Sequence, residues 1–186
     1  MLDSLLRLDG QLLLAVQNLH QPWLDPVVSL FTKLGDAGIL FIALSLAMLL
    51  YKPTRKVGLV ALAAMVLGLL VTNITIKPLV ERARPWTVLP LTPLVTEKDP
   101  NSFPSGHTNA AFAFALAVCR SAPKKWMKIT AICMAVVMGL SRLYVGVHFP
   151  SDVLVGAAVG SLCGLAGAWV IRNAAEYLKR RRPIQE

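Results

Sequence analysis

Val57-Gly-Leu-Val-Ala-Leu-Ala-Ala-Met-Val-Leu-Gly-Leu-Leu-Val-Thr-Asn-Ile-Thr-Ile76 runs for twenty residues without a charge. As a helix rising about 1.5 Å per residue it reaches roughly 30 Å, the thickness of a bilayer's hydrocarbon core. Basic residues bound it on both sides, Lys52, Arg55 and Lys56 before it and Lys77 after it. This stretch decides the class of the fold: all-α, a polytopic membrane helical bundle.

The rest of the chain agrees with that reading. Its 186 residues are 55% hydrophobic and only 16% charged, with a mean hydropathy of +0.60. A soluble domain normally carries about a quarter charged residues. Working outward, five transmembrane helices are expected, over 24–50, 57–76, 105–119, 129–145 and 153–171. In the first, the uncharged run 38–51 is about 21 Å long as a helix. It must therefore borrow from 24–37, with a bend at Gly35-Asp36-Ala37-Gly38. Residues 3–19 mix leucines with Arg7, Asp9, Gln11, Gln17 and Asn18, the pattern of an amphipathic interfacial helix, and Pro22 interrupts it. A six-span alternative lets residues 3–20 cross as well. In the last span Gly156, Gly160, Gly164 and Gly167 form a small-residue stripe that predicts close helix packing. The expected layout is one integral membrane domain, 1–186, with an interfacial segment 1–22, an external loop 78–104 and a basic cytoplasmic tail 173–186.

The net charge of +9 does not point to nucleic acid, because the basic residues fall in short runs between apolar segments. Lys52, Arg55 and Lys56 form one run, Arg120, Lys124, Lys125 and Lys128 another, and Lys179 to Arg182 a third. With alternating spans all three lie on one side, which the positive-inside rule makes cytoplasmic. Cys119, Cys133 and Cys163 fit neither a metal nor a disulfide pattern and read as buried fillers. Asp3, Arg7 and Asp9 near the start argue against a cleavable leader.

Three polar clusters interrupt this apolar background at the opposite, external end of the spans. They are Lys77 to Arg84-Pro85, Pro104-Ser105-Gly106-His107, and Ser141-Arg142 with His148 and Asp152. Ionisable groups in such a setting need partners or a purpose. Lys77, Arg84 and Arg142 are suited to the charge that spreads over phosphoryl oxygens during transfer. The bland alternative is headgroup snorkelling by Lys77 and Arg84 and an Arg142–Asp152 pair. Ser105 stands where a loop becomes a helix, and Gly106 lets an anion approach free backbone N–H groups. His107 then lies beside the anion as a proton donor. Asp152, in the first turn after Pro150, can orient His148 and leave its other ring nitrogen nucleophilic, or the pair can simply tie down a loop. A divalent metal is disfavoured by the three cations, with only Glu81, Glu97 and Asp99 as further acids nearby.

The pattern Lys77, six residues, Arg84-Pro85, then Pro104-Ser105-Gly106-His107, then Ser141-Arg142, five residues, His148, three residues, Asp152, resembles the three signatures of the type 2 phosphatidic acid phosphatase family. The site of that family is similar to that of vanadium-dependent haloperoxidases. The resemblance implies a metal-independent and cofactor-free hydrolase of membrane lipid phosphates. In it His148 attacks phosphorus to form a phosphohistidine, Asp152 orients it, and His107 protonates the leaving oxygen and then activates water. Lys77, Arg84, Ser105, Gly106 and Arg142 hold the phosphoryl oxygens. Among bacterial members the chain most resembles those acting on undecaprenyl diphosphate, in the plasma membrane with the site facing outward. Phosphatidylglycerol phosphate, phosphatidic acid and lipid A phosphates are the alternatives, and a non-catalytic lipid-binding or transport protein is a further one. The partners implied are the lipid substrate and the bilayer. For a diphosphate, Arg82 and Lys98 are candidates to contact the second phosphate.

Overall fold

The structure, a computed structural model, describes residues 2–180. The last two arginines of the C-terminal basic run, Arg181 and Arg182, lie outside the described residues. α1 (Leu2–Gln17) and α2 (Asp25–Leu34) precede a tight turn, Asp36–Gly38, that leads into α3 (Ile39–Leu50). α4 (Arg55–Leu69) passes into a π-helical stretch, Leu70–Ile76, and a last turn, α5 (Lys77–Val80). The short α6 (Pro85–Val88) and a long loop follow, then α7 (Gly106–Ser121), α8 (Lys125–Tyr144) and α9 (Pro150–Arg180). Outside the helices, the one bridge among the described residues joins Ala83 to Asn101.

α7 is the hub, packed against α4, α8 and α9. Its ends are set locally. Ser105 caps the first turn by accepting from the Thr108 N–H, and Pro123 forces Ala122 into the extended conformation that ends it. Alanines 111, 113, 115 and 117 are all buried, so neighbouring backbones come close. α9 takes advantage of this. A Cβ on Gly160 would lie 2.3 Å from the carbonyl oxygen of Asn109, and one on Gly164 2.8 Å from that of Ala113. The glycine stripe is thus a helix-packing seam. Leu50, Leu59, Ile74, Leu154 and Leu162, by contrast, stay exposed on the outside of the bundle, as a lipid-facing surface requires.

The expectation of five spans, with six as the alternative, is corrected. Among the described residues three helices are long and apolar enough to cross a membrane: Lys52–Val80, Lys125–Tyr144 and Pro150–Leu178. A fourth span is reached only if Asp25–Leu34 and Asp36–Leu50, bent by 49° at their junction, count as one broken span. The region 105–119 fails because its helix has 16 residues, about 24 Å, and its apolar side chains are spent on α4, α8 and α9. α1, also 16 residues long, does not qualify as a sixth. The anticipated bend is present at the expected place, where Ala37 (φ 50°) and Gly38 (φ 74°) both take left-handed conformations. Of the three cysteines only Cys163 is buried; Cys133 is exposed, correcting its reading as a buried filler.

Candidate active site

Four helix ends and one loop meet at one end of the bundle. The start of α5 delivers Lys77, the extended residue before α6 delivers Arg84, the start of α7 delivers Gly106 and His107, and the turn between α8 and α9 delivers His148. These residues line one cavity of about 490 Å³. Its other wall is apolar, with Ile42, Leu62, Met65, Val66 and Leu69 contributed by α3 and α4. Ser105, Arg142 and Asp152 are fully buried and do not themselves line the cavity. Ser105 is occupied as the α7 cap, its hydroxyl accepting from Thr108 Oγ1 at 3.0 Å.

His148 is 1% exposed. Its Nε2 lies 3.2 Å from an Arg84 nitrogen, and its Nδ1 lies 3.5 Å from Asp152 Oδ2. That second separation is longer than a hydrogen bond, and Nδ1 has no other partner. Burial, and then the cations Arg84, Arg142 and Lys77, push the imidazole well below its ordinary pKa of 6.5, so it is neutral at pH 7. A neutral ring with its proton on Nδ1, toward Asp152, leaves the Nε2 lone pair available. Arg84 also donates to the Val147 carbonyl at 3.0 Å, which fixes the guanidinium beside that nitrogen.

The cations do not stand unpaired. Lys77 forms an ion pair with Asp99, and Arg142 with Glu97, both from the loop between α6 and α7. Glu97 also lies 3.9 Å from Arg84. The loop is held over the site by Leu94 N–H donating to the Val145 carbonyl (3.0 Å) and Ser102 N–H to the Arg82 carbonyl (2.8 Å). Arg142 does not pair with Asp152; its other donor goes to Thr32 Oγ1 at 2.5 Å. The bland pairing considered from the sequence is therefore not formed.

Two further groupings escaped the sequence reading. Asp36, on the strained turn between α2 and α3, accepts from His107 Nε2 through Oδ1 at 2.9 Å. Its neighbour Gly35 is the residue that permits this approach, since a Cβ there would meet His107 Cδ2 at 3.0 Å and Met138 Cε at 2.6 Å. The polar Gly-Asp pair inside an apolar segment was the available signal. The second grouping involves Arg82. Rather than facing the cavity, it bonds Asp152 Oδ1 (2.6 Å), Asp9 Oδ2 (2.7 Å) and the Ser151 hydroxyl (2.7 Å), and stacks on Phe149 at 4.0 Å. Asp9 also accepts from the Ser151 N–H at 2.9 Å. The expectation that Arg82 contacts a second phosphate is corrected: its guanidinium neutralises two buried carboxylates and ties α1 to the start of α9.

Asp36, Glu97 and His107 each bring a ligand-type atom within 4.8 Å of the others, the one such grouping among the described residues. Each atom set already has a partner, because His107 and Asp36 bond one another and Glu97 pairs with Arg142. The arrangement reads as part of the site's charge network.

Chemically, the cavity combines two lining cations, Lys77 and Arg84, with Arg142 buried behind Glu97, a neutral imidazole near a carboxylate, a second imidazole bonded to another carboxylate, and an apolar wall. Residues 57–176 match the PAP2 superfamily. An undecaprenyl-diphosphatase of Sulfolobus acidocaldarius is 34% identical over 65% of this chain, which spans only 58% of that relative's length. The crystal structure of a transmembrane PAP2-type phosphatidylglycerolphosphate phosphatase from Bacillus subtilis is 31% identical, with a TM-score of 0.72 over 96% of this chain and 90% of that one. The crystal structure of Aquifex aeolicus LpxE is 29% identical, with a TM-score of 0.74 over 84% of this chain and 92% of that one.

Proposed function

The chain belongs to the PAP2 superfamily, a multi-pass membrane hydrolase of lipid phosphates or diphosphates, and from that premise we propose undecaprenyl diphosphate as its substrate and His148 as its nucleophile. The observation that carries the lipid reading is one cavity that has both Lys77, Arg84, His107 and His148 and an apolar wall of Ile42, Leu62, Met65, Val66 and Leu69. A phosphate enters the polar end while the first isoprene units lie against the apolar one. The polar end faces the cell exterior in this reading, because the basic runs gather at the other end of the helices.

The phosphoryl oxygens replace the carboxylates of Glu97 and Asp99 on Arg142, Arg84 and Lys77, with Gly106 offering its backbone N–H and Ser105 holding that helix start in place. His148 Nε2 attacks the terminal phosphorus. The P–O bond to the leaving group breaks, and the departing oxygen takes its proton from His107. The leaving group is undecaprenyl phosphate, a weaker base than a lipid alkoxide, which lowers the demand on that proton. Asp152 stabilises the imidazolium that forms. A water then gives its proton to His107 and attacks the phosphohistidine; the P–N bond breaks and inorganic phosphate leaves. Compensation of the phosphoryl charge by three fixed cations makes a metal-independent reaction the expected one.

Phosphate release by the purified protein in lipid vesicles, with undecaprenyl diphosphate, phosphatidylglycerol phosphate and phosphatidic acid side by side and with or without EDTA, tests the proposal. A higher kcat/KM for the diphosphate, unchanged by the chelator, is expected. The second reading is a glycerolipid phosphate, favoured by the near-complete overlap with the Bacillus subtilis phosphatidylglycerolphosphate phosphatase. A preference for phosphatidylglycerol phosphate would establish it and leave the roles of the residues unchanged.

A further inference from the structure

A second cavity, of about 680 Å³, opens at the far end of the bundle between α4, α7 and α9. Lys56 near the start of α4, Arg120 near the end of α7 and Arg172 on α9 all line it. Along the helices, Lys56 is separated from Lys77, and Arg172 from Asp152, by roughly 30 Å at 1.5 Å per residue. The two cavities are thus about one hydrocarbon thickness apart. The wall between the three cations is apolar, from Val60, Leu165 and Ala168, and Trp169 stands at the rim, 60% exposed. The cavity opens beside a tight helix contact, where a Cβ on Gly167 would lie 2.9 Å from the Ala64 nitrogen.

The cations gathered around the histidines, Lys77, Arg82, Arg84 and Arg142, each have a carboxylate partner. Here, among the described residues, the side chains of Lys56, Arg120 and Arg172 make no ion pair and no hydrogen bond. Glu176, one turn beyond Arg172, does not pair with it. All three side chains are exposed, so their heads can receive an external anion. Guanidinium forks match phosphate oxygens, tryptophan favours the headgroup level, and basic pockets between membrane helices suit anionic headgroups. We propose that this cavity binds an anionic glycerophospholipid of the surrounding leaflet. Arg120, Arg172 and Lys56 hold its phosphodiester, and Val60, Leu165 and Trp169 receive the first acyl methylenes. The site is separate from the hydrolytic one, and the proposal stands whatever substrate the latter prefers.

Native mass spectrometry of the full chain released from mixed micelles tests this, with phosphatidylglycerol and phosphatidylcholine offered in equal amounts. The wild type should retain one phosphatidylglycerol with about tenfold preference, equivalent to roughly 1.4 kcal/mol. The variant K56Q/R120Q/R172Q should lose that preference, whereas K124Q/K125Q/K128Q, which removes the same charge outside the cavity, should keep it. The single variant R172Q should weaken the preference partway. Inorganic phosphate at millimolar concentration should not displace the lipid. Phosphate release in phosphatidylcholine nanodiscs should be unchanged in the cavity variants, showing that they are folded. Equal loss in both triple variants would reduce the effect to general electrostatics and overturn the proposal, as would retained preference in the cavity triple variant. Displacement by inorganic phosphate alone would also overturn it, since the acyl wall would then contribute nothing.

Discussion

The cations gathered around the histidines and those lining the second cavity are treated in opposite ways. At the histidine end Lys77, Arg82, Arg84 and Arg142 are mostly buried, and protein carboxylates answer them: Asp99, Asp9 with Asp152, and Glu97. At the basic end Lys56, Arg120 and Arg172 are exposed and unanswered among the described residues. Burial is the physical difference. A cation removed from water needs a counter-charge within reach, while one at the membrane surface has water and headgroups to supply it. Under the proposed mechanism Glu97 and Asp99 hold the place of the entering phosphate, whereas Asp9 and Asp152 keep Arg82 in the scaffold.

The comparison breaks most sharply at His148. His148→Ala should lower phosphate release by at least ~10⁴-fold and abolish acid-labile phosphoenzyme trapped from labelled substrate, since a nucleophile has no substitute. Phosphoenzyme forming at the normal rate would move the nucleophile elsewhere. Asp152→Asn keeps the shape of the Arg82 network while removing the charge behind the imidazole, and a fall of about 10²- to 10⁴-fold in kcat is expected.

Asp36 holds His107 Nε2 at 2.9 Å, and under the proposed mechanism it is a positioning residue for that proton donor. Asp36→Asn should lower kcat on lipid phosphates by roughly 10- to 100-fold. The loss should shrink with nitrophenyl phosphate, whose leaving group needs little protonation. An equal loss on both substrates would assign Asp36 a purely structural role at the bend.

Removing a carboxylate from the clamp sharpens the contrast in the other direction. Glu97→Gln leaves Arg142 and Arg84 without their internal anion, so inhibition by vanadate or phosphate should become several-fold tighter. Unchanged inhibition constants would mean that Glu97 does not share the phosphoryl position.

The smallest effect is on stability. His148 is held neutral in the fold, its pKa well below the 6.5 of an unfolded histidine. As pH falls through 6.5 the unfolded chain gains a proton that the folded one refuses, so stability is lost progressively toward the folded value. The decrease in Tm between pH 7 and pH 5 should be smaller in His148→Gln, which cannot be protonated; an identical decrease would show that other groups set the acid sensitivity.

Much of this was legible in the linear chain. The uncharged run 57–76, the bend at Gly35 to Gly38, the glycine seam of α9 and the helix cap at Ser105 are local, and local chemistry specifies them. The three signatures could be read because spacing along a helix end or across a tight turn is also a short-range property. Four matters were decided only in three dimensions. The apolar side chains of 105–119 suggested a spanning helix, but hydropathy does not distinguish a residue facing lipid from one facing protein, and the 16-residue α7 is covered by α4, α8 and α9. Arg82 looked like a spare cation for substrate until Asp9 and Asp152, 73 and 70 residues away, claimed it. Glu97 and Asp99 looked like loop acids until the loop folded back onto Arg142 and Lys77. Asp36 meets His107 across 71 residues because a left-handed turn aims it there. Periodicity and capping act within a few residues and are written in order along the chain; the partner of a buried charge is whichever opposite charge the packed helices bring within about 3 Å, and sequence distance carries no record of that.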